Sequence, residues 1–230
     1  MQDLRGTYVH RGDAQRRRER VKRAVLGVAF CSAALVVYTN QQADEARAAL
    51  AGPDAAAAVT SGEARQRLAA TRGEVAVANE QLERWNRIFA FSNRYSINAS
   101  LAGAIHDIAV AEGLEPELAF RLVRTESEFK ETATSHVGAV GLTQVMPATA
   151  KYFDKSVTRE RLYNRETNLR IGFRYLRGLI RENDGDVRMA LLVYNRGPVA
   201  VNKAKRAGVN PSNGYDRKVL SGYKGDGVLD

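Results

Sequence analysis

The chain has 230 residues, ordinary apolar content and a formal net charge of +9. That length allows one domain with extensions or two small domains, and the apolar content suffices for a packed core in part of the chain. A single cysteine, Cys31, excludes an intrachain disulfide, and the scattered histidines His10, His106 and His136 show no metal-ligand spacing, so no metal or other cofactor is expected.

The charge is unevenly spread. Residues 1–23 hold 8 Lys/Arg against 3 Asp/Glu, residues 24–92 hold 6 against 7, and residues 93–230 hold 21 against 16. A basic excess favours an anionic partner, either membrane phospholipid, nucleic acid or an acidic polymer. Its N-terminal part, residues 1–23, ends in Arg16-Arg17-Arg18-Glu19-Arg20-Val21-Lys22-Arg23 and runs directly into an uncharged apolar stretch, 24–39. As a helix this stretch spans about 24 Å, short of a ~30 Å hydrocarbon core, and the stems of Lys22 and Arg23 can make up part of the difference by snorkelling. The pattern predicts a transmembrane signal-anchor with its basic end in the cytoplasm and the rest of the chain on the outer, periplasmic face of a bacterial inner membrane. The alternatives are a cleaved signal peptide, which would leave a secreted or periplasmic protein, and a buried core helix. Ser32-Ala33-Ala34 lies mid-run and makes a poor cleavage site, and Phe30 before Cys31 argues against lipid attachment. Beside an apolar run, the membrane reading of the basic cluster is simpler than a nucleic-acid arm.

Residues 40–92 read as a helical stalk. Gly52-Pro53 and Thr60-Ser61-Gly62 interrupt it, and a helix is expected from Glu63 to about Phe91. Leu68, Val75, Leu82 and Phe89 recur every seven residues beside a weaker row of Ala64, Thr71, Ala78 and Trp85. This is a weak heptad seam, compatible with a dimeric spacer or with one amphipathic helix folding back on the next domain. Trp85, Ile88, Phe89 and Phe91 make its last turns apolar enough to dock on that domain.

Residues 93–230 predict a mainly α domain. Helices are expected from Ser100 to about Glu112, from Pro116 through Glu126, from Glu166 to Arg181, from Asp186 to Asn195, and onward from Pro198. The third carries Arg170, Arg174, Arg177 and Arg181 on its polar side, most simply a solvated face. No long alternating strand appears, only room for a small hairpin between Thr132 and Val145.

One carboxylate breaks the apolar pattern. Positions 119, 122, 123 and 126 share a helix face, so Glu126 continues the stripe of Ala119, Leu122 and Val123. Desolvation there raises a carboxyl pKa, and a carboxylic acid still protonated near neutral pH can donate a proton to a leaving oxygen in glycoside cleavage. The bland alternative is a helix-end carboxylate that reaches water.

Three ordered motifs carry a family resemblance: Glu126-Ser127-Glu128-Phe129, then residues 135–150 with Gly138, Gly141, Gln144, Met146 and Pro147, then Tyr194-Asn195-Arg196-Gly197-Pro198. Over roughly residues 95–205 the chain resembles the soluble lytic transglycosylase catalytic domain, a family similar in fold to goose-type lysozyme. The resemblance implies a lysozyme-like helical domain that cleaves peptidoglycan between N-acetylmuramic acid and N-acetylglucosamine without water, leaving 1,6-anhydromuramyl ends, with Glu126 as the sole acid. It implies that Ser127 lies beside the acid, that Gln144 and Met146 line the cleft, that Tyr194 hydrogen-bonds Glu126 or steers its proton, and that Asn195 supports that turn. Thr143 and Val193 depart from the family's usual methionine and alanine, which puts cleft shape in question. The candidate second carboxylates Glu128, Glu131 and Asp154 have no clear motif role, whereas two-carboxylate glycosidases need one at a set distance. A hydrolytic muramidase of similar fold and a non-catalytic wall-binding protein remain as alternatives. The expected partners are peptidoglycan strands, the membrane and a second copy through the stalk. No nucleic-acid recognition motif is present.

Overall fold

The computed structural model describes residues 41, 42, 44 and 62–229. The predicted anchor, 24–39, lies outside the described residues, as does much of the stalk before Gly62. Among the described residues no helix is long and apolar enough to cross a membrane. The chain divides into two units, one ending at Trp85 and the other comprising Asn86–Asp230.

With no proline and one interior glycine after Gly62, nothing interrupts helix α1, Gly62–Tyr95. Its heptad positions Leu68 and Val75 are 44% and 37% exposed, so the seam is an open surface along this chain. The apolar end of α1 belongs to the core of the second unit. Ile88 is fully buried, and the Phe91 ring stacks on Phe120 with centroids 4.1 Å apart.

The second unit is helical, and its breaks follow local chemistry. Asn98 caps α2 (Ala99–Ala111) by accepting from the Leu101 N–H at 2.7 Å. Gly113, at φ +68°, makes the turn that a side chain would resist. Pro116 occupies the first turn of α3 (Pro116–Ser127), where its missing N–H costs nothing. After a loop come α4 (Pro147–Phe153) and a 3-10 turn, Glu160–Tyr163. Asn164 and Asp186 cap α5 (Arg165–Glu182) and α6 (Val187–Arg196). Gly197 breaks the chain between α6 and α7 (Pro198–Arg206), and the short α8 (Tyr215–Leu220) comes last. Among the described residues, β-structure is limited to isolated bridges, two of them, Thr134 with Val140 and Val140 with Val145, where a hairpin is expected.

Helix α5 packs against α2 and α6, and α3 against α2 and α8. Phe120, Phe173, Leu118, Leu122, Leu169 and Leu176 are fully buried in the shared core. Each such side chain contributes about 1.5–3 kcal/mol of transfer free energy, before ordering costs. A smaller core of Val140, Val145, Ala150, Val157, Leu162 and Ile171 lies under the loop before α4. The basic side of α5 is not simply solvated. Arg174 makes a paired hydrogen bond to the buried carboxylate of Glu112 at 2.9 and 3.0 Å, and Arg165 holds Glu131 at 2.6 Å.

Candidate active site

The last turn of α3 sets the site. Ala119, Leu122 and Val123 are fully buried, and Glu126 continues their face. The helix stops at once, because Glu128 (φ 51°) and Phe129 (φ 63°) both take the left-handed conformation. Each costs on the order of 1–2 kcal/mol for a residue with a side chain. Packing of the Phe129 ring against Tyr95 and Phe120, at 5.2 and 6.5 Å, offsets this. The reversal leaves the Glu126 carboxyl on the inner face and sends Glu128 out to solvent, where it pairs with Lys130 at 3.0 Å.

Burial pushes the Glu126 carboxyl up to about 7, against the opposing effects of a hydrogen bond from Tyr215 and the charge of Lys218. The Tyr215 hydroxyl, on α8, donates to Glu126 Oε1. Oε2 is thereby left as the oxygen free to carry the acid proton. Tyr215 is itself held in place through its neighbour. Asp216 is fully buried, accepts from Arg188 Nη1 at 2.9 Å and from the Ser212 hydroxyl at 2.7 Å, and so ties α8 to α6 and to the preceding loop. Burial alone would raise the Asp216 pKa, but Ser212, a backbone N–H and Arg188 together hold it below the ordinary carboxylate range.

Tyr194 takes a different position from the one expected. Its hydroxyl donates to the Thr143 carbonyl at 2.8 Å and not to Glu126. It still lies close enough for the Glu126 charge, after burial, to help push its own pKa well up. The physical reason is competition: the buried hydroxyl of Tyr194 satisfies a backbone carbonyl of the loop, and Tyr215 reaches the acid instead.

The loop from Glu131 to Met146 is pinned to α5 by Asn168, which is almost fully buried. Asn168 Nδ2 donates to the carbonyls of Val140 and Leu162 at 2.8 and 2.9 Å, and its Oδ1 accepts from the Thr143 N–H and hydroxyl at 2.8 and 2.7 Å. Two glycines make the close approach possible. A Cβ on Gly141 would sit 2.3 Å from Asn168 Nδ2, and one on Gly172 would sit 2.3 Å from Thr143 Oγ1. Thr143 and Val193 are both buried, so neither side chain forms an exposed cleft wall, contrary to expectation. Thr143 fits against Gly172 and Asn168, and that packing accounts for its small polar side chain.

The other expected residues divide. Gln144 is half-buried at φ 47°, and its Nε2 donates to Gly141 and Ala133 carbonyls at 2.9 and 3.2 Å. The amide nitrogen thus closes the loop, and Oε1 is the atom left for a ligand. Met146 is 39% exposed at the start of α4, as a wall residue would be. Ser127 is buried and donates to the Val123 carbonyl of its own helix at 3.1 Å, so its hydroxyl supports α3 and does not touch the acid. Asn195 is exposed and accepts from Asn213 Nδ2 at 2.9 Å, bracing the loop that leads into α8. The structure therefore brings together Glu126, Tyr194 and Tyr215. Among the described residues no group of three or more His, Cys, Asp or Glu is placed to hold a metal ion.

Residues 103–213, which contain Glu126, the pinned loop and Tyr194, match the family model described as Transglycosylase SLT domain. This part of the chain belongs to that family. Similar sequences include a protein named Transglycosylase from Enterobacteria phage PRD1, 42% identical over 87 residues, covering 36% of this chain and 30% of the relative. Membrane-bound lytic murein transglycosylase C from Actinobacillus pleuropneumoniae is 35% identical over 113 residues, covering 43% and 31%. Among solved structures, an inactive mutant of the lytic transglycosylase Slt from Pseudomonas aeruginosa overlaps at a TM-score of 0.46 and 28% identity, covering 51% of this chain and 22% of that one. The chain thus spans less than a third of the length of these curated relatives. Tyr215 and Asp216 lie just beyond the matched SLT segment, in α8.

Proposed function

We propose that this protein is a peptidoglycan lytic transglycosylase that works through one acid, Glu126. The observation that carries the reading is the half-buried Glu126 carboxyl, pushed to about 7 by burial and fixed by the Tyr215 hydroxyl. Such a group is protonated in a useful fraction of molecules at neutral pH and can both give and take a proton there. Glu126 Oε2 protonates the glycosidic oxygen between N-acetylmuramic acid C1 and N-acetylglucosamine O4, and that C–O bond breaks. The muramyl 6-hydroxyl attacks the same C1, and its proton returns to Glu126. The product is a 1,6-anhydromuramyl end plus a free 4-hydroxyl, with no water consumed. Tethering of the nucleophile to the reacting sugar supplies the advantage of a high effective concentration.

The surroundings of the acid favour this over two-carboxylate hydrolysis. Glu128 faces solvent with Lys130, Glu131 is paired with Arg165, Asp154 accepts from Ser156, and Asp216 is enclosed by Arg188 and Ser212. None of these is available as the second group that hydrolysis requires at a set separation. Met146 and the free oxygen of Gln144 serve as cleft contacts. Tyr215 positions the acid, with Tyr194 holding the loop opposite. The basic-then-apolar sequence 16–39 supports a membrane anchor with the SLT domain on the periplasmic side, in line with the membrane-bound name of one relative. The open heptad face of α1 supports a dimeric spacer. The test is the chemistry of the product: mass spectrometry of peptidoglycan digested by the protein should show anhydromuramyl ends, and reducing muramyl ends alone would reject the proposal.

A further inference from the structure

A cavity of about 770 Å³ opens between the end of α1, the outer face of α3 and the α8 segment. Five cations, Arg94, Arg121, Arg124, Arg217 and Lys218, line it against one carboxylate, Glu128. Two of the cations are engaged by the Glu117 carboxylate, Arg94 through Nη1 and Arg121 through Nε. Glu128 is drawn toward Lys130. Arg124 and Arg217 are exposed and have no ion-pair partner among the described residues, and Arg124 lies over the Tyr95 ring at 5.9 Å. An aromatic floor under a guanidinium, with further cations around it, is an unneutralised anion site larger than one small ion needs.

Its location suggests what fills it. Thr125 lines the cavity and Glu126 is the next residue, while Lys218 lines it and also acts electrostatically on Glu126. Helix α8 contributes Tyr215 to the acid and Arg217 and Lys218 to the cavity. Glu126 is not itself a lining residue, so the cavity neighbours the acid across the end of α3. A ligand that reaches both must be a glycan with an anionic side branch. We propose that this cavity binds the carboxylate-bearing peptide stem carried by the muramyl sugar, with Arg124 and Arg217 as its carboxylate contacts. Arginine suits that ligand because its planar fork pairs with a carboxylate through two hydrogen bonds. The ligand's identity rests on the peptidoglycan reading above, whereas the anion-binding capacity does not.

The test uses the full chain and two readouts. The first is calorimetric binding of a soluble alanyl-glutamyl tripeptide with free carboxylates at ~150 mM salt, where exposed charges are largely screened beyond about 8 Å. Wild type should bind it, and Arg124→Ala/Arg217→Ala should weaken binding about tenfold or more, the loss expected for two charge-assisted contacts. The second is turnover of peptide-bearing against peptide-stripped glycan. The double variant should raise KM on the first substrate only and leave kcat unchanged on both. Equal peptide binding by wild type and variant overturns the proposal. So does absence of peptide binding, including the case in which phosphatidylglycerol vesicles are bound instead. If the peptide binds through Arg124 and Arg217 but neither glycan is cleaved, the cavity assignment stands and the transglycosylase reading falls.

Discussion

The Tyr215 hydroxyl donates to the Glu126 carboxyl across 89 residues of chain, joining the last short helix to the end of α3. This contact opposes burial: it favours the ionised carboxylate and lowers its pKa, while desolvation raises it. Tyr215→Phe removes the hydroxyl and keeps the ring. The alkaline limb of the pH–rate profile should then move to higher pH, because the acid holds its proton more tightly. The maximal rate should fall roughly tenfold as the carboxyl loses its fixed orientation, within the range of positioned acid catalysis. A profile that keeps its alkaline limb in place would remove Tyr215 from the site.

Glu126→Gln should abolish cleavage and stabilise the fold at alkaline pH. The sign follows from the folded pKa of about 7, above the ordinary value of 4.5. The native state holds this proton more tightly than the unfolded chain. Its contribution is fully present below about 4.5 and is lost as pH rises through about 7. Glutamine does not titrate, so its advantage should be negligible at pH 4 and reach about 1–3 kcal/mol at pH 8. Thermal melts of both proteins across that range check it.

Much of this site can be read from sequence by period alone. Glu126 stands out by its place in the stripe of Ala119, Leu122 and Val123, and the fold keeps it there. Tyr194 comes near the acid but not onto it, because a buried hydroxyl bonds the nearest unsatisfied acceptor, here the Thr143 carbonyl, and its spacing in the chain cannot say which. Tyr215 escapes a sequence reading because α8 is only six residues long and its position depends on the buried Asp216–Arg188 pair. The available signal is the i, i+4 pairing of Tyr215 with Val219 on one face. Asn168 carries a clearer signal, a polar residue at helical spacing with Gly172 on the apolar side of α5.

Asn168→Leu should cost about 2–4 kcal/mol, since it strands two carbonyls and the Thr143 N–H and hydroxyl in the interior. Chemical denaturation measures the loss, and faster proteolysis between Glu131 and Met146 should accompany it.

Thr143→Met installs the residue that the resemblance leads one to expect. Thr143 is fully buried against Gly172, so the larger side chain should destabilise by about 1–3 kcal/mol. Product distribution should stay the same. A changed product pattern at unchanged stability would place this side chain in the cleft after all.

Glu128→Gln should leave turnover within about twofold, because that carboxylate stands in solvent with Lys130 and lies outside the range in which side chains supply the ~100-fold or greater effects of acid–base catalysis. A large loss would reopen a two-carboxylate mechanism.

The central claim is that Glu126 acts alone and water takes no part. Mass spectrometry of glycan fragments released from purified peptidoglycan in heavy-oxygen water tests it most directly. The account predicts 1,6-anhydromuramyl ends with no heavy oxygen incorporated, and no release by Glu126→Gln. Reducing muramyl ends carrying heavy oxygen at C1 would contradict it.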